Sequence, residues 1–208
     1  MAELITLNPY HPDPRLVSEA AGKIRDGAIA LVPTDTVYAL ACSIERRDGV
    51  SRLHRLKGVT AEDVKKPLSV LFPDLSSVAT CTTGIPTSVY RTMKRVLPGP
   101  YTFILNAPRR LSVDALRKRT TLGCRIPDQS ITLQILEEMG IPMLATSVKH
   151  VDDRQPLDDP IDIAREMGNA IDLVIDVGPI FPEPSTVVDA TNGYLEIIRE
   201  GKGPLDAL

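Results

Sequence analysis

"LVPTDTVYAL", residues 31–40, frames the reading of the whole chain. Leu31 and Val32 close one short apolar run, and a second apolar stretch containing Tyr38 follows. Between the two lie Pro33 and three small polar residues, Thr34, Asp35 and Thr36. Two strand-like segments joined through so many hydrogen-bonding groups raise the question of what those groups meet. The same polar signature recurs at two further strand ends, Thr146-Ser147 after "MLA" and Ser185-Thr186 in "PSTVVD". Strand ends that line a crevice are where open sheets bind ligands. Hydroxyls and turn amides there can meet a carboxylate or phosphate without burying a charge. Ser, Thr and Asp also favour turns and caps, so each cluster alone is more readily read as local structure.

Three cations strengthen the ligand reading. Lys57 closes a helical stretch, Arg125 sits inside the apolar strand "LGCRIP", and Arg199 ends the run "YLEII". An arginine in a strand core needs an anionic partner, either a ligand or an Asp or Glu of the same chain.

Around these residues, helix and strand alternate. Apolar positions Leu16, Val17, Ala20, Ala21 and Ile24 predict a helix over 16–26, with Gly27 just past its end. Further helices are predicted over 50–56, 89–96, 131–139 (closed by Gly140) and 161–167. Strands are predicted over 28–32, 67–72, 101–105, 122–126, 143–147, 173–176, 187–189 and 195–199, and the Pro-rich stretch 178–184 reads as a loop. Hairpin-sized and helix-sized links occur together, which predicts an α/β fold with a mixed sheet, parallel and antiparallel, and flanking helices.

The 208 residues suit a single domain over 1–208, and 43% hydrophobic content is enough to bury a core. Net charge is −3, so bulk charge does not advertise nucleic acid binding. The charge is uneven, however. Between Arg91 and Arg125 lie Lys94, Arg95, Arg109, Arg110, Arg117, Lys118 and Arg119, with Asp114 the lone acid, whereas 152–189 is rich in Asp and Glu. A basic face could meet phosphate, although charge runs are often only solvated surface. Cys42, Cys81 and Cys124 are odd in number and widely spaced, so neither a disulfide framework nor a zinc site is indicated. His11, His54 and His150 are too scattered for a metal site and read as surface or loop residues. A reduced cytoplasmic setting is expected, with no membrane span and no signal segment.

Six motifs in order then resemble the YrdC/YciO family. "PTDTVYAL" resembles its "PTDTVYGL", and "LPGPYTFIL" at 97–105 its "WPGPLTLIL". "RIP" at 125–127 is similar to "RxP", and "ATS" at 145–147 to the start of "SxN". "PSTVVD" at 184–189 and "REGKG" at 199–203 match the closing motifs, so the resemblance spans about residues 16–203. It implies a twisted α/β fold with a large, basic concave cleft. Well-understood members make threonylcarbamoyl-AMP from L-threonine, bicarbonate and ATP, for the threonylcarbamoyladenosine modification of tRNA. Carried over, the resemblance implies substrate contacts at Thr34, Tyr38, Arg125 and Ser185. It implies nucleotide contacts at Lys57, Thr121, Ser147 and Arg199. Lys57 and Arg125 would carry the catalytic charge, and Mg2+ would accompany ATP.

Two motifs depart from the synthase pattern. In place of the family's KxR, Lys57 is followed by Gly58 and Val59, with Lys65 or Lys66 as candidate replacements. In place of SxN stands Ser147-Val148-Lys149. Both changes resemble the YciO branch. A second function therefore stands beside the synthase reading: a double-stranded RNA or tRNA binder that uses a basic surface and does no chemistry. With 4% aromatic residues and no Trp, recognition by base stacking is disfavoured.

Overall fold

A computed structural model describes residues 2–57, 68–108, 120–148 and 158–208. Among these residues ten strands form one sheet: β1 (Glu3–Thr6), β2 (Ala30–Val32), β3 (Ala39–Ser43), β4 (Ser69–Leu71), β5 (Tyr101–Asn106), β6 (Thr121–Arg125), β7 (Met143–Ser147), β8 (Leu173–Asp176), β9 (Thr186–Asp189) and β10 (Glu196–Arg199). Their spatial order is β1-β8-β2-β3-β7-β4-β6-β5-β9-β10. The pairs β1/β8, β2/β8, β4/β6 and β5/β9 are parallel, and the remaining neighbours are antiparallel. The sheet is mixed, as the variety of link lengths predicts.

Among the described residues six α-helices pack on it: α1 (Pro14–Arg25), α2 (Arg47–Leu56), α3 (Leu75–Cys81), α4 (Thr87–Val96), α5 (Ser130–Met139) and α6 (Pro160–Met167). Helix α1 starts where the Asp13 carboxylate accepts from the Arg15 N–H at 2.9 Å and Pro14 takes the first turn. It buries Val17, Ala20, Ala21 and Ile24, one face at three- and four-residue spacing. Helix α5 is capped by the Gln129 side chain and ends at Gly140, whose φ of 67° is the left-handed conformation that glycine adopts freely. Strand β1 and helix α3 are additional to the elements that the sequence predicts.

The helices cover the two sheet faces unequally. On one face Leu40, Val70, Phe103, Cys124 and Val188 form a core that runs the length of the sheet, under residues of α2, α3, α4 and α6. On the other face α1 and α5 cover β1, β8, β2, β3 and β7, burying Val32, Ala41, Met143 and Ile175. That cover does not extend over β6, β5 and β9. Thr102, Ile104, Gly123 and Arg125 belong to neither apolar core. The unfilled half of this face is where a site is expected.

Candidate functional site

The sheet face that α1 and α5 leave open holds a cleft of about 310 Å3 among the described residues. Side chains alternate along a strand, so every second residue faces it. Its floor is Ser69 and Leu71 of β4, Gly123 and Arg125 of β6, and Thr102 and Ile104 of β5. Ala145 and Ser147 of β7 enter from one side. Ser185 and Val187 at β9 and Arg199 of β10 enter from the other. Thr34 and Lys57 reach it from the turn after β2 and the end of α2. Six of the residues implied by the family resemblance thus converge: Thr34, Lys57, Arg125, Ser147, Ser185 and Arg199.

Arg125 is buried, and its surroundings decide what it can do. Its Nη2 donates to Asp35 Oδ1 at 2.5 Å and to Thr34 Oγ1 at 3.2 Å. The anionic partner that an arginine in a strand demands is therefore Asp35, which the resemblance did not single out. The pair is only half made: Arg125 Nε and Asp35 Oδ2 are buried with no partner among the described residues. Thr34 organises this corner. Its hydroxyl donates to the Val37 carbonyl at 2.5 Å and accepts from the Thr36 and Val37 N–H groups at 3.2 and 3.1 Å. With Arg125 as a further donor, that oxygen is fully engaged. Thr34 thereby fixes the turn and the guanidinium rather than offering a free hydroxyl.

The opposite wall is built by the chain's last segment. Arg199 donates from Nη2 and Nε to the Ser185 carbonyl at 2.7 and 3.2 Å, which orients an otherwise exposed guanidinium. Ser185 Oγ pairs with Thr102 Oγ1 at 2.9 Å. Thr186 Oγ1 donates to the Gly203 carbonyl at 2.6 Å and accepts from the Gly201 N–H at 3.0 Å. Gly201 passes so close to Pro184 that a Cβ there would lie 2.2 Å from the Pro184 carbonyl oxygen. Lys202 then reaches across to the Asp35 carbonyl at 2.5 Å. The "REGKG" segment is thus a strap joining both walls of the cleft.

Tyr38 needs a correction. It lies on the face opposite Ala39 and is buried, with its hydroxyl donating to the Gly178 carbonyl at 2.8 Å and accepting from the Val177 N–H at 3.2 Å. Burial raises its pKa, so it stays a neutral structural phenol away from the cleft. Thr121 sits on the cleft face of β6 but does not line the cleft. His11 is exposed as expected, whereas His54 is half-buried inside α2. His150, Lys65, Lys66 and Lys149 lie outside the described residues, as do Arg109, Arg110, Arg117, Lys118 and Arg119. Among the described residues no three His, Cys, Asp or Glu side chains gather as a metal site. No described helix is long and apolar enough to cross a membrane. Cys42 and Cys124 are buried free thiols, and desolvation pushes Cys42 up to about 12, so neither is a poised nucleophile.

The fold agrees with the comparisons to known proteins. A profile of the Sua5/YciO/YrdC family, described as telomere recombination, matches residues 22–201. The chain belongs to this family. The uncharacterised YciO of Escherichia coli K12 is 33% identical over 207 residues, 98% of this chain and 97% of YciO. The crystal structure of E. coli YciO matches with a TM-score of 0.87 over 100% of this chain and 99% of that one. Threonylcarbamoyl-AMP synthase of Mus musculus is 32% identical over 191 residues, 88% of this chain and 65% of the synthase. P. abyssi Sua5 complexed with L-threonine matches with a TM-score of 0.84 at 26% identity, over 99% of this chain and 59% of Sua5. The mixed sheet with flanking helices is the architecture that YciO and Sua5 share.

Proposed function

We propose that the cleft binds ATP and L-threonine together and forms threonylcarbamoyl-AMP from them and bicarbonate, for modification of tRNA. The observation that carries this reading is the convergence of Lys57, Arg125, Ser147, Ser185 and Arg199 on one cleft. A family member of the same fold has been solved with L-threonine.

The threonine amine attacks bicarbonate carbon, and loss of water leaves a carbamate. A carbamate oxygen then bonds to the α-phosphorus of ATP while the α–β phosphoanhydride breaks and pyrophosphate leaves with the electron pair. This needs positioning and charge stabilisation, not a protein nucleophile. Arg125 takes the threonine carboxylate, and Ser185 faces the amino acid beside it. Lys57 and Arg199 face the phosphates from two sides, with Ser147 on the nucleotide side. Two unit charges at 4 Å attract by about 4 kcal/mol at an effective dielectric near 20, so well-placed cations can hold a polyphosphate here. Among the described residues the cleft lining contains no carboxylate. The described lining residues do not by themselves make a Mg2+ site, so no step is assigned to the ion that accompanies ATP.

Exposed Arg91, Lys94 and Arg95 on α4 favour a second reading, binding of double-stranded RNA without chemistry. Incubation with ATP, Mg2+, bicarbonate and each amino acid in turn separates the two. Pyrophosphate release with L-threonine supports the synthase. Salt-sensitive duplex binding with no pyrophosphate from any amino acid supports the second reading.

A further inference from the structure

Gly123 stands in the middle of β6, between Ser69 of β4 and Ile104 of β5 in register. A glycine inside a strand weakens it and calls for a reason. Backbone conformation is not the reason, because Gly123 is not among the glycines with positive φ. Nor is protein packing. A Cβ there would lie 3.3 Å from Ser69 Oγ and 3.5 Å from Thr102 Cγ2, and the closer contact is with the end of a short side chain that a change of χ1 can move. What a Cβ would occupy is the cleft itself, of which Gly123 is part of the floor.

Its neighbours along the strand say which part of a ligand lies there. Arg125 and Thr121 share the cleft face of β6 with Gly123, each about 6.6 Å away along the strand. On the proposed function, Arg125 takes the amino-acid carboxylate at one end of this floor, while Lys57, Ser147 and Arg199 of the same lining face the nucleotide. We infer that Gly123 lies beneath the junction of the two halves, where the planar carbamate meets the α-phosphate, and that its missing side chain is the room this junction needs. Ser69 on one flank has a hydroxyl with no partner among the described residues. The Thr102–Ser185 hydroxyl pair lies on the other flank, so the junction rests on bare backbone between hydroxyl groups. Gly123 is a shape determinant for joint occupancy, not a contributor of chemistry. This inference rests on the proposed reading of the cleft.

The test compares wild type with Gly123→Ala and with Gly22→Ala, a control in α1 where a Cβ meets nothing within 4 Å. L-Threonine with bicarbonate, and an ATP analogue with a methylene bridge between the α- and β-phosphates, are titrated separately and then together. Gly123→Ala should unfold at or above the wild-type temperature, as Gly22→Ala should, because both remove unfolded-state freedom. It should bind each ligand alone at close to wild-type affinity. It should bind the second ligand roughly tenfold or more weakly once the first is present, the scale of forcing a methyl into a packed contact. Wild type binding both ligands jointly while Gly123→Ala does so equally well would overturn this inference and leave the proposed function standing. So would equal losses for each ligand alone with no additional joint loss, or a Gly123→Ala protein that fails to fold. Wild type binding neither ligand would instead overturn the proposed function.

Discussion

Arg125→Met offers a direct energetic test of how the cleft is held together. The Arg125 and Asp35 side chains are 7% and 9% exposed, and one strong contact joins them. Removing Arg125 leaves the Asp35 carboxylate buried without a side-chain partner among the described residues. Breaking a buried ion pair on one side costs about 3–5 kcal/mol. This pair makes one of its two possible prongs, so a value near the lower end, about 3 kcal/mol, is expected. That is a large share of a typical stability of about 5–15 kcal/mol. At roughly 2–4 °C per kcal/mol for a chain of this size, the midpoint should fall by roughly 6–12 °C. Removing both charges abolishes the penalty, so Arg125→Met with Asp35→Ala should recover much of the loss. Urea unfolding of wild type, both single variants and the double variant closes the cycle. The expected coupling is about 2 kcal/mol or more, while L-threonine binding stays lost in every variant lacking Arg125. Strictly additive effects, or a single-variant loss under about 1 kcal/mol, would refute the claim that this pair is a buried, interdependent unit.

Lys57→Ala should weaken ATP binding roughly tenfold, the scale of one charge-assisted contact, and unchanged affinity in a titration would remove Lys57 from the nucleotide site. Gly201→Ala drives a methyl into the Pro184 carbonyl and should destabilise by about 1–3 kcal/mol while loosening the strap, visible as lost ligand affinity with faster amide exchange across 199–203. Half-exposed Cys81 should react with a thiol reagent in the native protein, and Cys42 and Cys124 only on unfolding. Burial raises the Cys42 thiol from 9.0 to about 12, so the unfolded chain sheds this proton first as pH climbs. Its stabilising contribution is therefore complete below pH 9.0 and disappears toward about 12. Denaturation midpoints between those values should fall less steeply in Cys42→Ala than in wild type, and equal slopes would count against the assignment.

What the sequence revealed of this site follows from where each signal is written. Arg125 was legible because a charge amid Leu122, Cys124 and Ile126 contradicts its surroundings, and the need for an anionic partner came with it. Asp35 was not identifiable as that partner, since β2 and β6 are far apart in sequence and only the fold joins them. Tyr38 shows the opposite failure. Its place in a polar motif implied a ligand contact, yet alternation from Ala39 puts it on the other face, against Val177 and Gly178. Strand β1 left no mark because three of its four residues are exposed and no apolar alternation develops. Helix α3 has the sequence LSSVATC, with one buried residue and several weak helix formers, so tertiary contact rather than pattern holds it. Gly123 read as one more glycine until register placed it between Ser69 and Ile104 on the cleft floor.

The most direct test of the central claim is a structure of the protein crystallised with L-threonine and the α,β-methylene ATP analogue. The account predicts both ligands in the one cleft, with the amino-acid carboxylate on Arg125, phosphates between Lys57 and Arg199, and their closest approach above Gly123. An empty cleft at saturating concentrations of both ligands, or ligands bound elsewhere on the surface, would contradict it.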